Sequence, residues 1–347
     1  MKACVLHAVG DLRLEEVPTP MPQAGEVLLK VGACGICGSD IPRVFSKGTY
    51  RFPTIPGHEF SGTIAAVGAN VDPGMVGRKA AVFPLIPCFK CAPCEAGAYA
   101  QCENYDYLGS RSDGAFAEYV RVPVWNLILL PLEVSLEDAA MVEPAAVAAH
   151  ALRRGQIDLG DQVLIFGAGP IGLLVAAWAR IWGASKILMI DIDVEKLRFA
   201  RKQGYDHLYD AAQGDVAEWV KRKTGRGADL VIEASGSSAA YEQAMLSART
   251  FGRVVLLGNP AGDMKLSQQA YWAILRKELQ VTGTWNSAYA NLPRNEWEMT
   301  VNFMAQGKLD VSTLITHRIA LAELNAHLAL MRDRSAFSNK ILYVNEA

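Results

Sequence analysis

The sequence has no surplus of charge of either sign: 34 lysines and arginines stand against 36 aspartates and glutamates, a formal net charge of −2. Mixed charge without a basic stripe excludes the electrostatic footprint of a nucleic-acid-binding face or a polybasic membrane anchor. A long uninterrupted apolar run is also missing. The most apolar window, Val163–Ile181, is broken by three glycines, a proline and Arg180, whereas a membrane-spanning helix needs about 20 predominantly apolar residues. The residues after Met1-Lys2 lack the apolar stretch of a secretory signal, so a soluble, cytoplasmic protein is expected. There is no low-complexity tract and no repeat at solenoid period. Cysteine is sparse and odd in number, seven in 347 residues, which argues against a disulfide framework.

What is present begins with bulk. A chain of 347 residues, 51% of them hydrophobic, is enough for two domains, each with its own core. Short strands punctuated by glycine and proline fill the first part: Ala3–Leu6, Glu26–Val31, Gly62–Val67, Lys79–Val82 and Ala117–Val122. That is the pattern of a barrel-like β unit. From Asp161 the period changes to strands alternating with helices. Gln162–Phe166, Lys186–Ile190, Leu230–Glu233 and Arg253–Leu257 read as buried strands, with a helix reaching Trp182 and others at Val194–Lys202 and Ala239–Ala248. Such alternation builds βαβ units and a parallel sheet. After roughly Asn286 the character is mixed again, with helices near Trp297–Gln306 and Leu321–Met331 and a last strand at Lys340–Val344. The expected fold class is α/β, a Rossmann doubly wound parallel sheet with a β-barrel catalytic domain. The barrel takes residues 1–144 and 288–347, and the nucleotide domain takes 145–287 between them.

Gly167-Ala168-Gly169-Pro170-Ile171-Gly172 follows the first of those strands and opens a helix. In that context G-x-G-x-x-G is a dinucleotide fingerprint: Gly167 makes the tight turn, Gly169 admits the pyrophosphate to the backbone, and Gly172 lets helix and strand approach. The pyrophosphate then meets free N–H groups at the helix N-terminus, beside Ile171. Asp191 closes the next strand nineteen residues past Gly172, where a carboxylate holds the adenosine ribose hydroxyls and repels a 2′-phosphate. NAD is therefore expected over NADP. Asp193 reads as a helix cap, and Trp178 with Trp182 as core packing.

Cys88, Cys91, Cys94 and Cys102 put four thiols on one short loop segment, within residues 84–104. Tetrahedral Cys₄ coordination leaves no open position, so a zinc there is structural. An iron–sulfur cluster also uses four cysteines, but nothing else here suggests electron transfer. A second set is more dispersed. Cys34-Gly-Ile-Cys37 invites a redox reading but lacks the βαβ context. Cys37, His58 and Glu143 together supply the three ligands of a zinc with one open position, although a Gly-His-Glu serves equally as a satisfied loop histidine. Ser39 is either a turn residue or part of a proton path, and Asp40 is placed to orient a ligand. Arg43, Lys47, Arg51 and Arg111 are cations close in sequence to these residues.

Taken together, these residues resemble the zinc-containing medium-chain dehydrogenase/reductase superfamily over the whole chain, and within it the sorbitol dehydrogenase-like branch. The narrower likeness is carried by CGSDIPRVF at Cys37–Phe45, GHEFSG at Gly57–Gly62, the stretch Pro84–Tyr119, ILRKEL at Ile274–Leu279, GTW at Gly283–Trp285 and EWE at Glu296–Glu298. The resemblance implies a GroES-like catalytic domain, two zinc ions per subunit and hydride transfer to NAD from a secondary alcohol of a polyol or polyol phosphate. It implies Cys37, His58 and Glu143 as catalytic-zinc ligands, with Glu59 either approaching the metal or standing behind it. It also implies Ser39 as the start of a proton relay and Lys196 as a ribose contact. A homodimer or homotetramer follows by analogy. At Asn286, where sorbitol dehydrogenases carry an arginine, the chain departs from that branch, which suggests a different substrate pocket. The alternatives are an unphosphorylated polyol such as sorbitol or L-iditol, L-threonine, and a non-catalytic NAD-binding protein with structural zinc alone.

Overall fold

The computed structural model describes residues 1–260, 262–290 and 294–345. The chain divides into two compact units, Met1–Glu143 with Ala288–Ala347, and Pro144–Ser287.

In the first unit the strand Glu26–Gly35 is the organiser. Its residues alternate in burial, with Val27, Leu29, Val31 and Ala33 inside, as period-2 side chains on a half-buried strand must. It pairs antiparallel with Glu59–Val67, with Tyr119–Pro123 and with the final strand Lys340–Val344. Among the described residues the sheet continues through Lys79–Val82 and Leu127–Leu129 on one side and Ile315–Ile319 on the other. The two ends of the chain thus share one sheet and one core, in which Leu6, Phe60, Phe116, Leu324 and Ile341 are packed together. A hairpin of Lys2–Ala8 and Asp11–Glu16 lies on this core.

The second unit carries a parallel sheet. Its strand order is His207–Asp210, Lys186–Asp191, Gln162–Phe166, Ala228–Glu233, Ala248–Leu256, Gln280–Gly283. That order reverses between Gln162–Phe166 and Ala228–Glu233, and dinucleotides bind outside the carboxyl ends of strands at such a switch point. Ala228–Glu233 is buried along its whole length, as a central parallel strand covered on both faces must be. Helix Pro170–Ile181 buries Leu173, Leu174, Val175, Trp178 and Ala179. Trp178 Nε1 donates to the Ala145 carbonyl (2.9 Å), which anchors it as core.

Several elements escape the sequence pattern. The strands His207–Asp210 and Gln280–Gly283 are four residues each, at the two edges of the parallel sheet, too short and too exposed for an apolar run. The stretch Leu321–Met331 divides into a 3₁₀ turn, Leu321–Glu323, and helix Leu324–Asp333. Ala117 makes only an isolated bridge to Ala3, and the strand there runs Tyr119–Pro123.

Candidate metal centres and dinucleotide loop

Cys37 lies in the loop between strand Glu26–Gly35 and the short helix Asp40–Phe45, and Ser39 stands just before that helix without a side-chain cap. His58 and Glu59 lie where the chain enters the neighbouring strand Glu59–Val67. Gly57 makes that entry possible. Its φ is +98°, and a Cβ there would stand 2.8 Å from the Phe116 backbone nitrogen, so a side chain would be strained and crowded at once. The result is that donor atoms of Cys37, His58 and Glu59 lie within 4.8 Å of one another. Glu143, in the first turn of helix Val142–Arg154, is buried but does not fall within that mutual distance.

The surroundings explain why so much charge is tolerated here. Asp40, fully buried, accepts from the Cys37 N–H (2.9 Å) and stands 3.4 Å from His58 Nδ1. Burial opposes its charge, but His58, Arg43 and the Cys37 N–H outweigh burial and hold its carboxyl at about 2. Burial also opposes a charge on His58, and Asp40 reverses this and holds the imidazole well above the usual histidine value. Arg43 donates to Asp40 Oδ1 (3.0 Å) and to Ser39 Oγ (3.0 Å) and lies 3.1 Å from His58 Nδ1. Ser39 Oγ in turn donates to Cys37 Sγ (3.3 Å). Because Nδ1 faces Asp40, Nε2 is the nitrogen left for a metal.

Sequence reasoning did not find two participants, Lys340 and Tyr107. Lys340, 2% exposed, pairs with Glu59 and donates to the Ile36 carbonyl (3.2 Å). Burial opposes its charge, but Glu59 keeps the ammonium above the ordinary lysine range. Tyr107 packs against His58 with ring centroids 5.8 Å apart. Burial, with the charge of Glu143 added, holds its phenol well above the ordinary value. Burial likewise pushes Glu143 up to about 7, reinforced by the charge of Glu59. Only Lys340 left a local signal, a cation opening an otherwise apolar strand.

The sulfur atoms of Cys88, Cys91, Cys94 and Cys102 also gather within 4.8 Å of one another. Cys91 Sγ is 3.4 Å from Cys94 Sγ and 3.8 Å from Cys102 Sγ. A tetrahedron with zinc–sulfur arms of about 2.3 Å has edges of about 3.8 Å, so the gathered thiols suit the donor set and size of a zinc site. All seven cysteines are free thiols. A hydrogen bond from the Lys90 N–H draws Cys88 down to about 6, while burial pushes Cys94 up to about 12. At the other centre one thiolate, one imidazole and buried carboxylates match the mixed donor set of a zinc with an open position.

In the second unit Gly167 closes strand Gln162–Phe166 and Gly169 caps helix Pro170–Ile181. A Cβ on Gly172 would lie 1.8 Å from the Gly167 carbonyl oxygen, so only glycine lets the helix sit this close to the loop. Pro170 and Ile171 open the helix, whose first N–H groups have no intrahelical partner. Asp191 accepts from Ala168 N (2.8 Å) and from Asp193 N (2.9 Å), which ties the carboxylate to the glycine loop. Asp193 caps helix Val194–Lys202 through Glu195 N (2.9 Å), and Lys196 lies half-buried in its first turn. At the switch point, buried Glu233 accepts from Ser235 N (2.8 Å), Ser235 Oγ (2.6 Å) and Gly236 N (3.0 Å), and so fixes the opposite loop.

Residues 23–132 match the family described as the alcohol dehydrogenase GroES-like domain, and residues 170–306 match the zinc-binding dehydrogenase family. Galactitol 1-phosphate 5-dehydrogenase of Escherichia coli K12 is 36% identical over 349 aligned residues, covering 99% of this chain and 100% of the relative. Sorbitol dehydrogenase of Bacillus subtilis is 33% identical, covering 93% of this chain and 91% of the relative. The crystal structure of galactitol-1-phosphate dehydrogenase from Escherichia coli superposes with a TM-score of 0.93 at 36% identity, over 99% of this chain and 100% of that one. No helix among the described residues is long and apolar enough to cross a membrane.

Proposed function

The chain belongs to the zinc-binding alcohol and polyol dehydrogenases, and from that premise we propose that it oxidises a secondary alcohol of a hexitol phosphate, of the galactitol 1-phosphate to tagatose 6-phosphate type, with NAD. The observation that carries the proposal is the cluster of Cys37, His58 and Glu59 within 4.8 Å, with buried Glu143 beside it. These are the residues proposed to hold a catalytic zinc. The mutual distances favour Glu59 as the third ligand over Glu143, which the residue pattern and the resemblance had put forward. The four cysteines Cys88, Cys91, Cys94 and Cys102 are proposed to hold a second, structural zinc, giving two ions per chain.

When bound, zinc supplies the Lewis acidity that lowers an alcohol's pKa, and NAD supplies the hydride acceptor. The protein's own part is orientation. Asp40 fixes the His58 ring and the Cys37 backbone, and Lys340 fixes Glu59. Ser39 is proposed to receive the alcohol's proton. Its oxygen already accepts from Arg43, and a guanidinium has no acceptor, so as Ser39 takes up that proton its own hydroxyl proton passes to water. On the nucleotide side, Gly167, Gly169, Ile171 and Gly172 are proposed to cradle the pyrophosphate, with Asp191 and Lys196 on the ribose. The fixed negative charge of Asp191 disfavours a 2′-phosphate. The protein is proposed to assemble as a homodimer or homotetramer.

A second reading, oxidation of an unphosphorylated polyol, is supported by the likeness to sorbitol dehydrogenase. The deciding experiment compares galactitol 1-phosphate with galactitol, sorbitol, L-iditol and L-threonine, each with NAD and NADP, alongside zinc analysis. The expected result is two zinc ions per chain and highest kcat/KM for galactitol 1-phosphate with NAD. Higher kcat/KM on a free polyol would move the assignment to the second reading.

A further inference from the structure

Four cations follow the metal-centre motifs in sequence, and the structure gives them different fates. Arg43 pairs with Asp40, Arg51 pairs with Asp113 at 3.0 Å, and Lys47 is exposed. Arg111 alone is held rigidly without an acid. Its guanidinium carbon stands 3.9 Å from the ring centroid of Tyr50 and 4.4 Å from that of Tyr105. Among the described residues no carboxylate oxygen comes within 4.0 Å of it, and its Nε is buried with no hydrogen-bond acceptor.

That combination is unusual. A guanidinium is a fork of donors with no acceptor, and an arginine ordered in a fold normally answers a carboxylate. Aromatic faces hold the cation in place, and Tyr105 and Tyr50 also take hydrogen bonds from it, but its Nε is left without an acceptor, and an unanswered buried donor costs about 1–3 kcal/mol. The backbone fixes the residue further. Arg111 N donates to the Tyr107 carbonyl (2.9 Å), Arg51 Nε donates to the Arg111 carbonyl (3.0 Å), and Tyr50 N donates to the Ser110 carbonyl (3.2 Å). Tyr107 is the ring that packs on His58, and Tyr105 stands 6.3 Å from Tyr107. The guanidinium is therefore two tyrosine rings away from the candidate metal ligand.

We propose that Arg111, set against Tyr50 and Tyr105, is an anion subsite that receives the phosphate monoester of the substrate while the carbon to be oxidised lies at the Cys37–His58–Glu59 centre. The position matches the chemistry. A hexitol phosphate carries its dianion at one end of the chain and an oxidisable secondary alcohol near the other. A planar fork binds phosphate bidentately, and Tyr50, 69% exposed, leaves the approach open. Arg111 would then be the residue that separates phosphorylated from free polyols. This subsite rests on the reading of the metal centre as an alcohol-oxidising site, and its test is chosen to separate the two.

Zinc- and NAD-loaded wild type, Arg111→Ala and Arg111→Lys are compared, after checking that their zinc content and thermal melting agree. A charge-assisted hydrogen bond is worth about 1.5–3 kcal/mol, so Arg111→Ala should lower kcat/KM for galactitol 1-phosphate by about 10–100-fold more than for free galactitol. Arg111→Lys, which keeps the charge but loses the fork, should recover part of that difference. Independently of turnover, calorimetry with inorganic phosphate should show binding to the wild type that is lost in Arg111→Ala. If the wild type prefers free polyols, the substrate assignment falls, and the phosphate titration still decides the subsite. Equal phosphate binding by wild type and Arg111→Ala, no binding to either, or an unchanged substrate ratio in the variant overturns it.

Discussion

Lys340 and Glu59 are 281 residues apart in sequence and meet as an ion pair in which each residue is 2% exposed. Such a pair contributes little net stability over an apolar pair of the same shape, but removing one member leaves an uncompensated buried charge. The cost of that is about 3–5 kcal/mol. Lys340→Met is therefore expected to lower the unfolding free energy by about that amount in urea. The double variant Lys340→Met, Glu59→Gln should be more stable than Lys340→Met alone, because the orphaned charge is gone. A single variant that unfolds within about 1 kcal/mol of the parent would mean that Glu59 finds another cation or is neutral in the fold. The same pairing bears on the site. Glu59 belongs to the 4.8 Å cluster and Glu143 does not, which supports the proposal of Glu59 as the third donor.

At the scale of elements, the segment Cys88–Cys102 shows how little regular structure a metal lobe needs. It contains the four-residue helix Ala92–Glu95 and the 3₁₀ turn Tyr99–Gln101, and its small apolar cluster consists of its own cysteines with Tyr99 and Tyr105. Outside contacts come from Trp125, whose ring meets Phe89 at 4.8 Å and Tyr99 at 5.1 Å, and which also meets Phe83 and Tyr289. Cys94→Ser is accordingly expected to lose one zinc per chain and to open residues 88–102 to limited proteolysis. NADH binding to the second unit, followed by fluorescence, should persist, since that unit has its own core of Leu164, Val231 and Val254. Loss of NADH binding together with the lobe would show that the lobe supports more than its own loop.

The contrast between this lobe and the Lys340–Glu59 pair explains what was legible in the sequence. Cys88 to Cys102 and Gly167 to Gly172 act through covalent neighbours, so their spacing already specifies which atoms converge. Strand Ala228–Glu233, buried throughout, announces itself as an apolar run, whereas edge strand Gln280–Gly283 has no such run to show. The partners of Glu59, His58 and Arg111 include Lys340 from the last strand, Asp40 from a short helix and Tyr50 from a distant loop, contacts made by the fold that spacing does not encode. Choosing between Glu59 and Glu143 as the third donor needs those contacts as well.

At the scale of the whole molecule, the parallel sheet ends in an edge. Strand Gln280–Gly283 pairs with Ala248–Leu256 on one side and, among the described residues, with nothing on the other. An unpaired edge is a template for another strand unless charge, proline or a covering element protects it. Here the protection is weak: Gln280, Val281, Thr282 and Gly283 carry no charge, and Val281 is 37% exposed. Nearby in sequence, Tyr271, Trp272, Leu275 and Trp285 are also exposed. On the proposal that the chain forms a homo-oligomer, this edge is the surface offered for pairing, with a second copy related by a two-fold axis as the partner that presents the same strand. Assembly through this edge predicts that Val281→Lys, which places a charge on it, shifts the sedimentation mass from a multiple of the chain to a lower one. Zinc content and NADH binding per chain should be unchanged, because the glycine loop and the cysteine clusters lie on other elements. If Val281→Lys sediments like the parent at micromolar concentration, the chains associate through some other surface, or the parent is itself a single chain.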